Sequence, residues 1–139
     1  MKLSIEDRLE LHELPGRYGN IIDDRDWPRL GEIFTDDAEF RVIGLVEMIG
    51  LEGIKRYMDS DAAPHPNAHL MTNIFVDVQD GVVKLHTRAI LPVSAGDGER
   101  GDRVIHGSYY DEVVKTTQGW RVKNRVFSQT RLEQVNDGC

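Results

Sequence analysis

Four side chains in this sequence are of types that move a proton or hold a growing charge: Tyr18, Asp23, His69 and Arg125. Imidazole titrates nearest to neutrality, and a carboxylate bonded to one of its nitrogens fixes the tautomer and raises the basicity of the other. Such a pair removes a proton beside a carbonyl or a leaving group. A guanidinium stabilises the negative charge that then grows on an enolate, a halide or a hydroxyl, and a phenol donates to the same oxygen. That chemistry requires no metal and no organic cofactor. Each residue also has a plainer reading. Asp23 belongs to the charged run Asp23-Asp24-Arg25-Asp26, and such runs usually face solvent. Yet it closes a helix, where a negative charge sits at the unfavourable end of the macrodipole, and Tyr18, Ile22 and Trp27 share the apolar side beside it. His69 reads equally as a loop histidine at the start of a strand. Arg125 stands between Val122 and Phe127 and points either inward or to solvent; an inward arginine needs an anion, fixed or developing.

The elements that position these residues follow from periodicity. Ser4 with Asp7 three residues later is a capping box, and Ile5, Leu9, Leu14, Tyr18, Ile21 and Ile22 recur at helical spacing. A helix is predicted from Ile5 to Asp23, kinked or broken at Pro15-Gly16 because proline removes a backbone bond and crowds the preceding turn. Asp26 caps a second helix with Pro28 in its first turn and Leu30, Ile33 and Phe34 on its inner face, stopping near Thr35-Asp36-Asp37. Ala38 to Gly44 and Leu45 to Ile49 suit two brief strands. Gly50 to Asp59 places Leu51, Ile54, Tyr57 and Met58 on one helical face. Ala62 to Ala68 holds two prolines at alternate positions and reads as a loop. After His69 the period becomes extended, giving four sequential antiparallel strands at Leu70–Gln79, Val82–Ala95, Arg103–Lys115 and Trp120–Arg131. Helices first and a meander afterwards is the α+β pattern, with the helices on one face of the sheet around a buried pocket. One domain spans residues 1–139.

A chain of 139 residues buries roughly 70% of its unfolded surface, enough for one core. Its formal charge of -7 argues against nucleic acid, whose affinity comes from Lys and Arg displacing counterions. No apolar run approaches the ~20 residues of a membrane span, and acids stand where a secretory signal would be apolar. The single cysteine, Cys139, excludes an internal disulfide and fits a reducing compartment. A soluble, cytoplasmic protein is expected. Gly96-Asp97-Gly98-Glu99-Arg100-Gly101 matches the dinucleotide fingerprint, but that motif works where a strand turns into a helix, and here it joins two strands. Arg100-Gly101-Asp102 would matter only on a secreted protein. His65 and His69 have the i, i+4 spacing of some zinc sites, yet Pro64 and Pro66 oppose a helical turn and no third ligand is near. His86, between Lys84 and Arg88, fits a solvated strand face; His12 and His106 find no role.

Tyr18-x4-Asp23-x2-Asp26-Trp27, then Leu30, Phe34 and Asp36-Asp37-Ala38, then Gly50-x3-Ile54, then His69-Leu70-Met71-Thr72-Asn73, and Gly119-Trp120-Arg121-Val122-x2-Arg125 together resemble the SnoaL-like branch of the nuclear transport factor 2-like superfamily. The likeness covers nearly the whole chain. It implies a cone-shaped barrel, a curved antiparallel sheet wrapped around N-terminal helices with one deep pocket. The superfamily holds scytalone dehydratase, lindane dehydrochlorinase, bile acid 7α-dehydratase, ketosteroid isomerase and polyketide cyclases, alongside non-catalytic oxygenase subunits. In its eliminating enzymes a histidine at the position of His69 is paired with an aspartate at that of Asp23, completed in some by a tyrosine like Tyr18 and an arginine like Arg125. The resemblance therefore implies a cofactor-independent lyase for a small apolar or polycyclic molecule. An isomerase or cyclase using the same base, and a ligand-binding role in which Asp23 and His69 merely satisfy one another, stay open. Ile22, Trp27 and Phe127 are expected to contact the ligand, and relatives pair through the exposed side of the sheet, so a homodimer or homotrimer is expected. Pro15-Gly16 and the Gly/Asp loop depart from the family pattern.

Overall fold

The computed structural model of the protein describes residues 2–94 and 102–130. The first helix, α1, spans Ile5–Asp23 as its periodicity requires, and Ser4 and Asp7 exchange both bonds of the capping box at 3.0 and 3.1 Å. The helix continues through Pro15 without the expected break. Proline forfeits one backbone bond there, while Leu11, Leu14, Tyr18, Ile21 and Ile22 are all buried beneath the same helix and fix its course on either side. Burying each of the leucines and isoleucines is worth about 1.5–3 kcal/mol.

The second α-helix does not form. Trp27–Glu32 is a short 3₁₀ helix, and Asp26 makes no side-chain cap. The carbonyl of Ile33 accepts the N–H of Val122 at 2.7 Å, so the chain is already drawn towards the sheet, and Phe34 begins a strand instead of closing a helix. That strand, β1 (Phe34–Val42), turns at Gly44 (φ +79) into β2 (Val46–Ile49). A helix, α2 (Gly50–Met58), follows, and the loop after it carries the two prolines. The meander is β3 (Leu70–Gln79), β4 (Val82–Val93), β5 (Arg103–Thr116) and β6 (Gly119–Gln129). Ala95, Arg131, Cys139 and the stretch 96–101 lie outside the described residues.

The strand order is β2-β1-β6-β5-β4-β3. All neighbours are antiparallel except β1 and β6, which run parallel with Phe40 opposite Arg125 and Val42 opposite Phe127. Among the described residues the sheet is therefore an open, curved one, with β2 and β3 at its edges, and not a closed barrel. Along β5 the inward positions read Arg103, Ile105, Gly107, Tyr109, Asp111 and Val113, alternating with outward ones as a strand must.

One contact fixes how α1 lies on this sheet. Asp7 accepts from the Lys115 ammonium at 2.8 Å and from the Trp120 indole at 2.9 Å, pinning the start of the helix to the β5–β6 hairpin. The Lys115 bond, with those of Trp120 and Ser4, holds the Asp7 carboxyl well below the usual carboxylate range. The far end of the helix then lies over the start of β3. On the outer face, His86 is half-buried instead of solvated, because its ring stacks on Tyr110 with centroids 4.7 Å apart. Leu70, Phe75, Val104 and Tyr110 are exposed there. Among the described residues no helix is long and apolar enough to cross a membrane.

Candidate active site

Helix α1 delivers Asp23 to His69 because nothing stands between the two chains at Gly19. A Cβ at that position would lie 3.1 Å from both the Cβ and the carbonyl oxygen of His69, a separation that side chains rarely tolerate. One turn later the Asp23 carboxylate grips His69 at two points. Oδ2 accepts the backbone N–H at 3.0 Å, and Oδ1 lies 2.6 Å from ring Nδ1. A carboxylate only accepts, so Nδ1 carries the proton and Nε2 is left with a lone pair. Nε2 has no hydrogen-bond partner among the described residues. The His69 side chain is 6% exposed and that of Asp23 24% exposed, so the imidazole is inside and the carboxylate opens towards solvent. Burial pushes the imidazole below its ordinary pKa, against the opposing bond and charge of Asp23; the charges of Arg125 and His65 act in the same direction as burial. The ring is consequently neutral near pH 7, the form a base needs.

His69 stands on the wall of a cavity of about 190 Å³. Tyr18, Ile22 and Phe127 line it, and Met48, Leu91 and Ile105 supply much of the remaining apolar wall. A cavity of about 150 Å³ holds benzene, so the volume fits one small substituted ring. Its width depends on Gly107: a Cβ there would collide with the ring of Phe127, which packs instead against Tyr109 with centroids 4.8 Å apart.

Arg125 points inward, and its anion is fixed. Its Nε and Nη2 donate to the two oxygens of Asp111 at 2.8 and 3.0 Å, a fork-to-fork pair with neither side chain more than 1% exposed. The guanidinium lies 4.3 Å from the Tyr18 ring centre and 4.5 Å from that of Tyr109. Burial works against its charge, but Asp111 and the two phenols together outweigh that and hold the proton more firmly than usual. Among the described residues Nη1 has no hydrogen-bond partner; the π faces around the guanidinium supply its compensation. Arg125 does not itself line the cavity: Tyr18 and Tyr109 do. Burial raises the pKa of both phenols, Tyr109 the more strongly, so both keep their protons and remain donors.

Trp27 is the one expected ligand contact that the fold places elsewhere. The 3₁₀ turn carries it outside the cavity wall, where its indole donates to Asp59 at 3.1 Å and stacks on His65 with centroids 5.6 Å apart. His65 is the residue that reaches the cavity. Burial, and then the charge of Arg25, push its pKa down. Sequence reasoning also missed Tyr109 and Asp111. Their signal was alternation: an aspartate on the inward face of a strand, two residues from a tyrosine on that face, demands a buried cation.

An open curved sheet over a long helix is the architecture that this chain shares with NTF2-like proteins. An NTF2-like protein with a cystatin-like fold from Novosphingobium aromaticivorans superposes with a TM-score of 0.71 at 26% identity, over 90% of this chain and 82% of its own. LinA superposes with a TM-score of 0.79 at 20% identity, over 94% and 92%, a likeness of fold. Residues 3–126 match the SnoaL-like domain, and the chain belongs to that family. It is 33% identical over 131 residues to an uncharacterised protein of Mycobacterium tuberculosis, covering 88% of this chain and 84% of the relative.

Proposed function

We propose that the protein is a cofactor-independent lyase that eliminates a hydroxyl or halide from a small, largely apolar ring. The observation that carries this is the 2.6 Å contact between Asp23 and Nδ1 of His69 at the wall of an apolar cavity. Nε2 of His69 takes a proton from a ring carbon, the electrons of that C–H bond form the new double bond, and the leaving group departs with its own bonding pair. The imidazolium that results is stabilised by Asp23. Tyr18 donates to the oxygen on which charge grows. Arg125 acts at one remove, its positive charge beneath the phenol ring making that hydroxyl a better donor.

The test is turnover on a screen of hydroxylated and halogenated single rings. His69→Ala is expected to lower kcat by about 10²–10⁴, the usual contribution of a positioned base, with little loss of stability. Wild-type turnover in a folded His69→Ala protein would remove His69 as the base, and binding of these rings without turnover by the parent would replace the lyase with a ligand-binding domain. The exposed apolar face of β3 to β5, with Phe75 62% and Tyr110 52% exposed, supports a homodimer or homotrimer through the sheet; light scattering at micromolar concentration should return a multiple of 15.8 kDa, and a monomer would count against it.

A further inference from the structure

The charge of the cavity wall differs from that of the chain. The sequence carries 24 acids against 17 bases, yet among the described residues the lining holds no Asp, Glu or Lys and a single arginine, Arg103. That arginine makes no ion pair among the described residues, in contrast to Arg125, whose charge is cancelled by Asp111. It shares the inward face of β5 with Ile105 and Tyr109, so the strand runs from a cation at the rim, past apolar wall, to a phenol at the floor. Gln129, exposed at the end of β6, adds an uncharged polar group to the lining. The two ends are chemically different. The floor offers protonated phenols and a neutral imidazole, which suit a neutral oxygen; the rim offers an accessible guanidinium, which suits an anion and can bind a carboxylate or phosphate through two parallel bonds.

We infer that the ligand is a ring bearing an anionic substituent, with the ring held at the floor and the carboxylate or phosphate directed outward to Arg103. Tyr109 and Arg103 are separated by about 20 Å of strand at 3.4 Å per residue. An arginine stem can fold back over apolar surface while its head stays in water, which shortens but does not close that distance, so the anion must sit several atoms from the ring. This rests on the cavity described under the proposed function but is independent of the reaction, since it concerns binding alone.

The experiment titrates the full-length protein with phenylacetate, 4-phenylbutyrate and 6-phenylhexanoate, with the primary amide of each, and with 4-phenylbutyl phosphate, by calorimetry or ligand-observed NMR. Acids should bind about two- to fivefold tighter than their amides, the range of an accessible ion pair, with the largest gap at one of the longer chains. The gap should shrink at high salt. Comparison of the phosphate with the butyrate distinguishes the two anions. Arg103→Gln should erase the gap and leave amide affinity unchanged. Amides binding as tightly as acids, a gap that survives Arg103→Gln, or no binding by any member at millimolar concentration overturns the inference. A lost charge preference with His69-dependent turnover intact refutes this inference alone; the reverse pattern refutes the lyase.

Discussion

Asp23–His69 and Asp111–Arg125 are both aspartates gripping a nitrogen base at two points, yet they are opposite devices. In the first, one oxygen is spent on backbone and one on a ring whose other nitrogen is unpartnered among the described residues and faces a cavity. In the second, both oxygens meet both prongs of a guanidinium, and neither side chain sees solvent. The difference teaches that burial and pairing alone do not make a site. A sealed pair cannot exchange its proton, whereas a pair with one vacant valence and a path to a ligand can.

The largest effect expected from breaking this contrast is structural. Asp111→Ala leaves Arg125 charged and unpaired in the core, which should cost about 3–5 kcal/mol, enough to lower Tm by about 10 °C or more. Replacing both members with apolar residues, Asp111→Leu with Arg125→Met, should recover most of that loss. A single variant that unfolds within about 1 kcal/mol of the parent would show the pair is not sealed.

Asp23→Asn should act on chemistry before stability. Its turnover should fall by part of the roughly 10²–10⁴ expected of His69 under the proposed elimination, because an amide no longer fixes the tautomer or stabilises the imidazolium. Since the bond and charge of Asp23 are what oppose burial at His69, the His69 pKa, followed by NMR, should move further down. In the parent, a folded pKa below the unfolded value near 6.5 means that the neutral ring stabilises the fold above that pH. This stability is lost as pH falls from there to the folded pKa, and the variant should extend the window to lower pH. An unchanged or raised His69 pKa would contradict the assigned dyad.

Gly19→Ala is the smallest perturbation. The new methyl must displace His69 by a few tenths of an ångström, so kcat should drop by less than the Asp23→Asn loss, while the helix itself gains about 0.5–1 kcal/mol from the removal of glycine. Reduced stability together with unchanged rate would reverse the argument for Gly19 as a spacer.

Where local pattern decides, the sequence was legible. The bounds of α1 follow from a capping box and an apolar stripe, and β3 follows from an extended run that begins after a proline-rich loop. Asp23 and His69 could be named because each closes or opens such an element. What stayed hidden depends on partners distant in the chain. Phe34 joins a strand because β6 lies parallel to it, a pairing that no neighbour of Phe34 announces. Trp27 leaves the cavity because its turn is 3₁₀, which rotates it towards Asp59 and His65. Asp111, among Tyr109, Tyr110 and Glu112, resembles a surface acid until Arg125 is known to face it from the next strand.

The seat of Phe127 over Gly107 gives the cavity an asymmetric evolutionary range. A hydrogen atom is all that position 107 can hold while the ring stays put, so every side chain introduced there drives the ring from its place and narrows or distorts the chamber. Widening is open only from the other partner: a smaller residue at 127 removes wall without disturbing the strand that carries it. Descendants of this protein that accept a second ring are therefore expected to have lost the aromatic at 127 and kept the glycine at 107.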